Sequence, residues 1–104
     1  SLDLTDKLRE VTRYIKPYKL MCYVLIGFNS TIEQDMFRIE TLRSLGIKPY
    51  VMPYRDFENS RTPSQYEKDL AQYVNKPMIF ESCSFAEFSP RKGFKCSTYL
   101  KSNP

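Results

Sequence analysis

The apolar residues of this chain fall into runs whose spacing changes along its length, and each change marks a new element. Leu4, Leu8, Val11 and Ile15 recur at helical spacing, so Asp3 to about Tyr14 reads as an amphipathic helix with Asp3 as its N-cap. Pro17 follows where that helix has ended. Leu20 to Ile26 is apolar with little alternation, the pattern of a parallel strand covered on both faces. Ser30 and Glu33 have the spacing of a capping box, and Thr31 to Leu45 follows as a helix with Ile32, Met36, Ile39, Leu42 and Leu45 as its buried stripe. Gly46 supplies a left-handed stop. Pro49 to Tyr54 reads as a second strand, with prolines near its ends where a missing N–H matters least.

These pieces make a strand–helix–strand unit whose crossover is expected to be right-handed. Arg55 to Arg61 is a polar loop. Thr62 as N-cap and Pro63 at the first helical position open a third helix with Tyr66, Leu70, Tyr73 and Val74 on one side. Pro77 interrupts that pattern; Met78 to Phe80 fits a short strand or a helical turn, Ser84 to Phe88 another turn, and 89–104 a loop or terminal arm. The fold class is α/β. Two parallel strands alone leave both sheet edges open and are marginal in water. The expected whole is therefore a single domain or fragment over 1–104, part of a larger α/β sheet or barrel. Missing chain, a swapped partner or a homodimer would complete it.

Composition narrows this picture further. With 104 residues, 41% of them hydrophobic and 14% aromatic, the chain has the makeup of one globular unit rather than a disordered segment. No apolar run approaches the roughly 20 residues of a membrane span, and the first residues show no signal peptide. The net charge of +4 comes from 16 basic and 12 acidic residues that are interspersed. A nucleic-acid groove needs clustered cations, and the stretch that holds Lys92, Lys95 and Lys101 is sparse, so nucleic acid is not expected as a partner. Cys22, Cys83 and Cys96 match no zinc or cluster spacing and leave an odd count, which suits free thiols in a reducing cytoplasm. The chain has no histidine, which excludes Ser-His and Cys-His nucleophile pairs.

Candidate chemistry gathers where strands end, because open α/β sheets bind ligands there. Gly27 permits either a tight turn or the close approach of a backbone to a ligand. Asn29 and Ser30 stand before a helix start, where free N–H groups hold an anion or side chains cap the helix. Met52, Tyr54 and Arg55 end the second strand, and Arg55 is either a carboxylate clamp or a surface cation. Glu33, Gln34 and Asp35 favour the positive helix end and are assigned no chemistry. Tyr66 and Tyr73 read as packing residues.

The wording of the chain adds a resemblance. "YVLIGFNSTIEQDMFRIETLRSLGIKPYVMPYR", with its "FNST.EQD" turn, "LR.LG" helix end and "PYVM.Y" strand, resembles the C-terminal half of radical S-adenosylmethionine (radical SAM) proteins. "LDLTDKL" upstream and "LAQYVNKPMIF" and "SFAEF" downstream extend the likeness over about residues 2 to 88. The resemblance implies a fragment of a partial (β/α) barrel. The family's four-iron, four-sulfur cluster sits on a C-x-x-x-C-x-x-C motif in the N-terminal half of the barrel. That motif is absent here, so no cofactor is expected in this chain alone. S-adenosylmethionine and the cluster would belong to a parent protein whose N-terminal half is the implied partner. By the same resemblance, Gly27, Phe28, Asn29, Val51, Met52 and Pro53 would line the cofactor, and Tyr54 and Arg55 the substrate. The family's G-x-I-x-G-x-x-E motif, set on Gly27, meets Tyr23, Leu25, Gly27 and Ser30, keeping only the apolar residue and second glycine. A small protein–protein interaction module, docking through an open sheet edge, is the competing expectation.

Overall fold

The computed structural model describes residues 2–11, 13–16, 20–56 and 58–100; the side chains of residues 2–5 and 11 fall outside that description. Helix α1 (Leu2–Val11) is followed by strand β1 (Met21–Ile26), helix α2 (Ile32–Ser44) and strand β2 (Lys48–Pro53). Helix α3 (Gln65–Asn75) and the single turns α4 (Pro77–Phe80) and α5 (Ser97–Leu100) complete the order. The architecture is thus α/β, with β1 and β2 parallel and in the register Met21↔Lys48 through Ile26↔Pro53.

Helix α1 begins one residue before Asp3, which therefore lies inside the first turn and is not its N-cap. Leu8 packs against the core, but Ile15 lies beyond the helix and is exposed, so it does not extend the apolar face. The side chains of Leu4 and Val11, and Pro17, lie outside the described residues. At α2 the capping box is displaced by one residue from the expected pair. Thr31 N–H donates to Gln34 Oε1 at 2.9 Å, and Gln34 N–H donates to Thr31 Oγ1 at 3.1 Å. Ser30 and Glu33 share the same spacing, but Ser30 Oγ is committed elsewhere, donating to Asp35 at 2.7 Å. Gly46, at φ +73°, ends the helix as expected. Helix α3 starts at Gln65 with Ser64 as cap, accepting from Glu67 N–H at 3.3 Å, rather than at Pro63 behind Thr62.

Registered pairs share a face, and the two faces of the sheet differ. Val24, Ile26, Pro49 and Val51 are buried; α2 packs on both strands and α3 on β2. Their core continues through Ile39, Leu42, Ile47, Leu70, Tyr73 and Val74. On the opposite face Met21, Tyr23, Leu25, Tyr50 and Met52 are all exposed, Tyr23 by 61%. Burial of β1 on both faces, expected from its unbroken apolar run, is therefore corrected. Among the described residues nothing lies over the second face, where Tyr23 and Tyr50 meet edge to face at 5.6 Å.

The sheet edges differ as well. Lys48 N–H and Tyr54 N–H donate to β1 carbonyls, so even-numbered backbone groups of β2 point inward and odd-numbered ones outward. On that outward edge Pro49 and Pro53 have no N–H to offer. Val51 between them is occupied on both sides: its N–H donates to Asn75 Oδ1 at 2.7 Å and its C=O accepts from Asn75 Nδ2 at 3.0 Å. On the outer edge of β1 the Tyr23 and Leu25 N–H groups have no hydrogen-bond partner among the described residues.

Segment 89–100, expected as loop or arm, folds back onto the body. Arg91 bridges Phe94, Cys96 is fully buried, and Phe94 and Tyr99 pack on the core. Asp69 of α3 holds this segment. It accepts from Arg91 through both guanidinium nitrogens at 2.9 and 3.1 Å, from Tyr99 OH at 2.7 Å and from Gln65 at 3.0 Å. No periodicity announces the segment, because its hold on α3 comes from Asp69, 22 residues before Arg91 and 30 before Tyr99. Residues 101–104 lie outside the described residues.

Candidate functional site at the strand ends

The parallel register carries the carboxyl ends of β1 and β2 to the same side, which brings Gly27, Phe28 and Asn29 beside Tyr54 and Arg55. Phe28 is 57% exposed and its ring lies 4.7 Å from that of Tyr54. Arg61, at the end of the following loop, clasps both strand ends. It donates to Gly27 O at 2.9 Å, to Tyr54 O, and to Glu67 Oε1 of α3 at 2.7 Å, with its guanidinium 5.4 Å from the Tyr54 ring.

That clasp answers what Gly27 is for. A Cβ at Gly27 would stand 2.6 Å from Arg61 Nη2 and 2.7 Å from the Glu67 carboxylate, and φ is +83°. The close approach inferred from the sequence exists, and what approaches is the chain's own ion pair. Asn29 also takes a left-handed φ of 56°, which Asn tolerates better than most residues. The Glu67 side chain is only 6% exposed, and its Oε2 finds no hydrogen-bond partner among the described residues.

Of the other expected site residues, Met52 is exposed on the bare face, Pro53 and Tyr54 are half-buried and Arg55 is exposed. Val51 does not join them. Its side chain is 1% exposed, in the core, and its peptide groups are held by Asn75, so the adenine contact expected there is withdrawn.

A second polar cluster lies beneath the turn. Asp35 is 1% exposed and accepts from Ser30 Oγ, from Arg38 Nη2 at 2.8 Å and from Tyr66 OH at 3.0 Å. Arg38 also donates to Leu25 O at 2.8 Å, tying α2 to the outer edge of β1. Burial, then the neighbouring Asp35 charge, pushes the Tyr66 phenol far above its usual range, which keeps it a donor. Asp69 is a parallel case: burial raises its pKa, but hydrogen bonds from Arg91, Tyr99 and Gln65 outweigh this and hold it below the ordinary carboxylate value. Both carboxylates act as acceptors that fix neighbouring elements in place.

Sequence reasoning assigned no role to Asp35, Arg61, Glu67 or Asn75. The pairings that place them cross long stretches of chain, 34 residues between Gly27 and Arg61, 31 between Asp35 and Tyr66 and 24 between Val51 and Asn75, and no local pattern marks such a pairing. Cys22, Cys83 and Cys96 are free thiols, and among the described residues no three His, Cys, Asp or Glu side chains come together as metal ligands. The residues present therefore do not fit an iron–sulfur cluster. Phe28, Asn29, Met52, Tyr54 and Arg55 stand at or near the strand ends with exposed surface.

No family model matches this chain, and neither a curated protein nor a solved structure is found similar to it.

Proposed function

We propose that this chain is the closing segment of a radical SAM barrel, contributing late strands that line the cofactor and substrate pocket. The observation that carries the reading is the division of the sheet into two faces. Helices cover one face, while the other presents Tyr23, Leu25, Tyr50 and Met52 bare to solvent. A barrel wall has this layout, with helices outside and an apolar interior, and barrel enzymes place their chemistry at the carboxyl ends of the strands. S-adenosylmethionine, when bound, would supply the reactive group; the chain's own residues would bind and orient. Phe28 and Met52 offer apolar surface to an adenosine, Arg55 a cation to a carboxylate, and Arg61 holds the two strand ends together. The cluster would belong to the N-terminal half of the parent protein, and a reducing cytoplasm would suit its free thiols.

The test is to express the uninterrupted parent reading frame, reconstitute it anaerobically with iron and sulfide, and record low-temperature EPR with and without S-adenosylmethionine. A reduced-cluster signal that shifts on adding the cofactor supports the reading. Absence of a cluster overturns it and leaves an interaction module, docking through an open sheet edge, as the function.

A further inference from the structure

The amino end of β2 borders a cavity that the strand-end site does not touch. It has a volume of about 310 Å³ and lies between the end of α2, the start of β2, α3 and the turn α4. Ligand sites usually span ~300–1,000 Å³, so this one suits a small molecule. Its apolar wall is made by Ile47, Pro49, Val74 and Phe80, all buried. Two charged side chains stand over that wall, Arg43 from α2 and Glu81 from the end of α4. Lys48 also borders the cavity, but strand alternation puts its side chain on the bare face with Tyr50 and Met52.

Arg43 is held as a fixed donor. Its guanidinium lies 3.8 Å from the centre of the Phe80 ring, Nη2 donates to Tyr73 OH at 3.2 Å, and Nε pairs with Glu40 at 3.3 Å. Nη1 keeps both of its N–H groups without a partner among the described residues. A guanidinium pinned in this way meets an acceptor with little further loss of side-chain entropy. The cavity offers acceptors as well. The exposed Glu81 carboxylate makes no hydrogen bond or ion pair among the described residues. The Pro49 C=O lies on the outward edge of β2, where Asn75 seals Val51, yet it has no such partner itself. A carbonyl of a buried residue ordinarily finds a donor.

From this combination we infer that the cavity binds a free α-amino acid with an apolar side chain. The carboxylate accepts from Arg43 Nη1, the ammonium donates to Glu81 and to Pro49 O, and the side chain lies on Pro49, Val74 and Phe80. A plain carboxylate leaves the acceptors unmatched, and a plain amine leaves Arg43 unmatched. The inference is independent of the radical SAM reading, since the cavity sits at the opposite end of β2 from Tyr54 and Arg55 and uses none of the strand-end residues.

Calorimetric titration of the full-length protein with L-phenylalanine is the test. Saturable binding is expected. N-acetyl-L-phenylalanine and L-phenylalaninamide, each lacking one of the two charges, should bind at least about tenfold more weakly. Glu81→Gln should weaken L-phenylalanine by a similar factor, and because Glu81 is exposed and makes no bond among the described residues, its fold should be intact. Arg43→Lys keeps the charge but loses the planar fork, and should weaken binding likewise. No binding of L-phenylalanine, equal binding of either blocked analogue, or full affinity in Glu81→Gln overturns the inference. So does displacement of L-phenylalanine by S-adenosylmethionine, which would put the amino acid at the strand ends instead. A parent protein without a cluster leaves the expected titrations unchanged, so the two readings fail separately.

Discussion

Gly27→Ala is the sharpest single perturbation of the strand ends, because two penalties of different origin meet at one methyl group. The first is conformational. At φ +83° an alanine is held in left-handed space, which costs about 1–2 kcal/mol. The second is electrostatic. The added Cβ stands 2.6 Å from Arg61 Nη2 and 2.7 Å from the Glu67 carboxylate, so one of them must move. Arg61 is the longer and more exposed partner, at 30% against 6%, and will be the one to yield. Glu67 then remains buried without the cation that balances it, a loss of about 1–3 kcal/mol. Gly27→Ala should therefore destabilise the fold by about 2–5 kcal/mol in urea melts followed by far-UV circular dichroism. The second penalty needs Glu67, so in a Glu67→Ala background the same substitution should cost less, keeping its conformational part and the displacement of Arg61. An equal cost in both backgrounds, or a cost below about 1 kcal/mol in the wild type, would refute the assignment of Gly27 to the Arg61–Glu67 clasp.

Other expectations concern the caps, the thiols and the tail. Thr31→Ala should lower stability by about 1 kcal/mol, since Thr31 provides the α2 cap; an unchanged denaturation midpoint would return that role to another residue. Cys96 is fully buried, and burial pushes its thiol up to about 11, so native alkylation read by mass spectrometry should label the half-buried Cys22 and Cys83 first. Equal labelling of all three would contradict the packed tail. Burial, then the bond to Asp69, raises the Tyr99 phenol from 10.0 to about 12. A raised folded value means its stabilisation is complete below pH 10 and is lost as pH climbs through about 12. Asp69 runs the opposite way: held below 3.8, it stabilises above that pH and ceases to do so as pH falls through its folded value. Tyr99→Phe should flatten the alkaline limb of stability against pH, and an unaltered limb would count against the Asp69 latch.

The elements that could be read from the sequence are those whose cause is local. The runs Leu20–Ile26 and Pro49–Tyr54 and the stripe Ile32–Leu45 required only their own neighbours, and β1, α2 and β2 appear within a residue or two of the expected bounds. The cap was misplaced by one position because Ser30–Glu33 and Thr31–Gln34 both satisfy the capping pattern. Only the competing bond from Ser30 to Asp35 decides between them. Gly27, Phe28, Asn29, Tyr54 and Arg55 fall at the same end of the sheet, since parallel register alone brings the two strand ends to one side. Val51 was misjudged because side-chain direction depends on which face the helices cover. Arg61, Asn75 and segment 89–100 take their roles from partners distant in the chain, and Glu67 takes its own through Arg61.

The Asp69 latch has a consequence for the order in which the protein is made. Arg91 and Tyr99 leave the ribosome after α3, so a nascent chain holds that helix for a time with its central carboxylate held by Gln65 alone of its three partners. Burying Asp69 in that interval is opposed by the desolvation of its charge. Helix α3, which carries both the Glu67 of the clasp and the Asn75 that seals β2, is thus kept from docking firmly until the final turns have been synthesised. A product broken off before Tyr99 would be left with a loose α3 and an unsealed sheet, a state readily told apart from the latched one by the proteases that remove incompletely folded proteins.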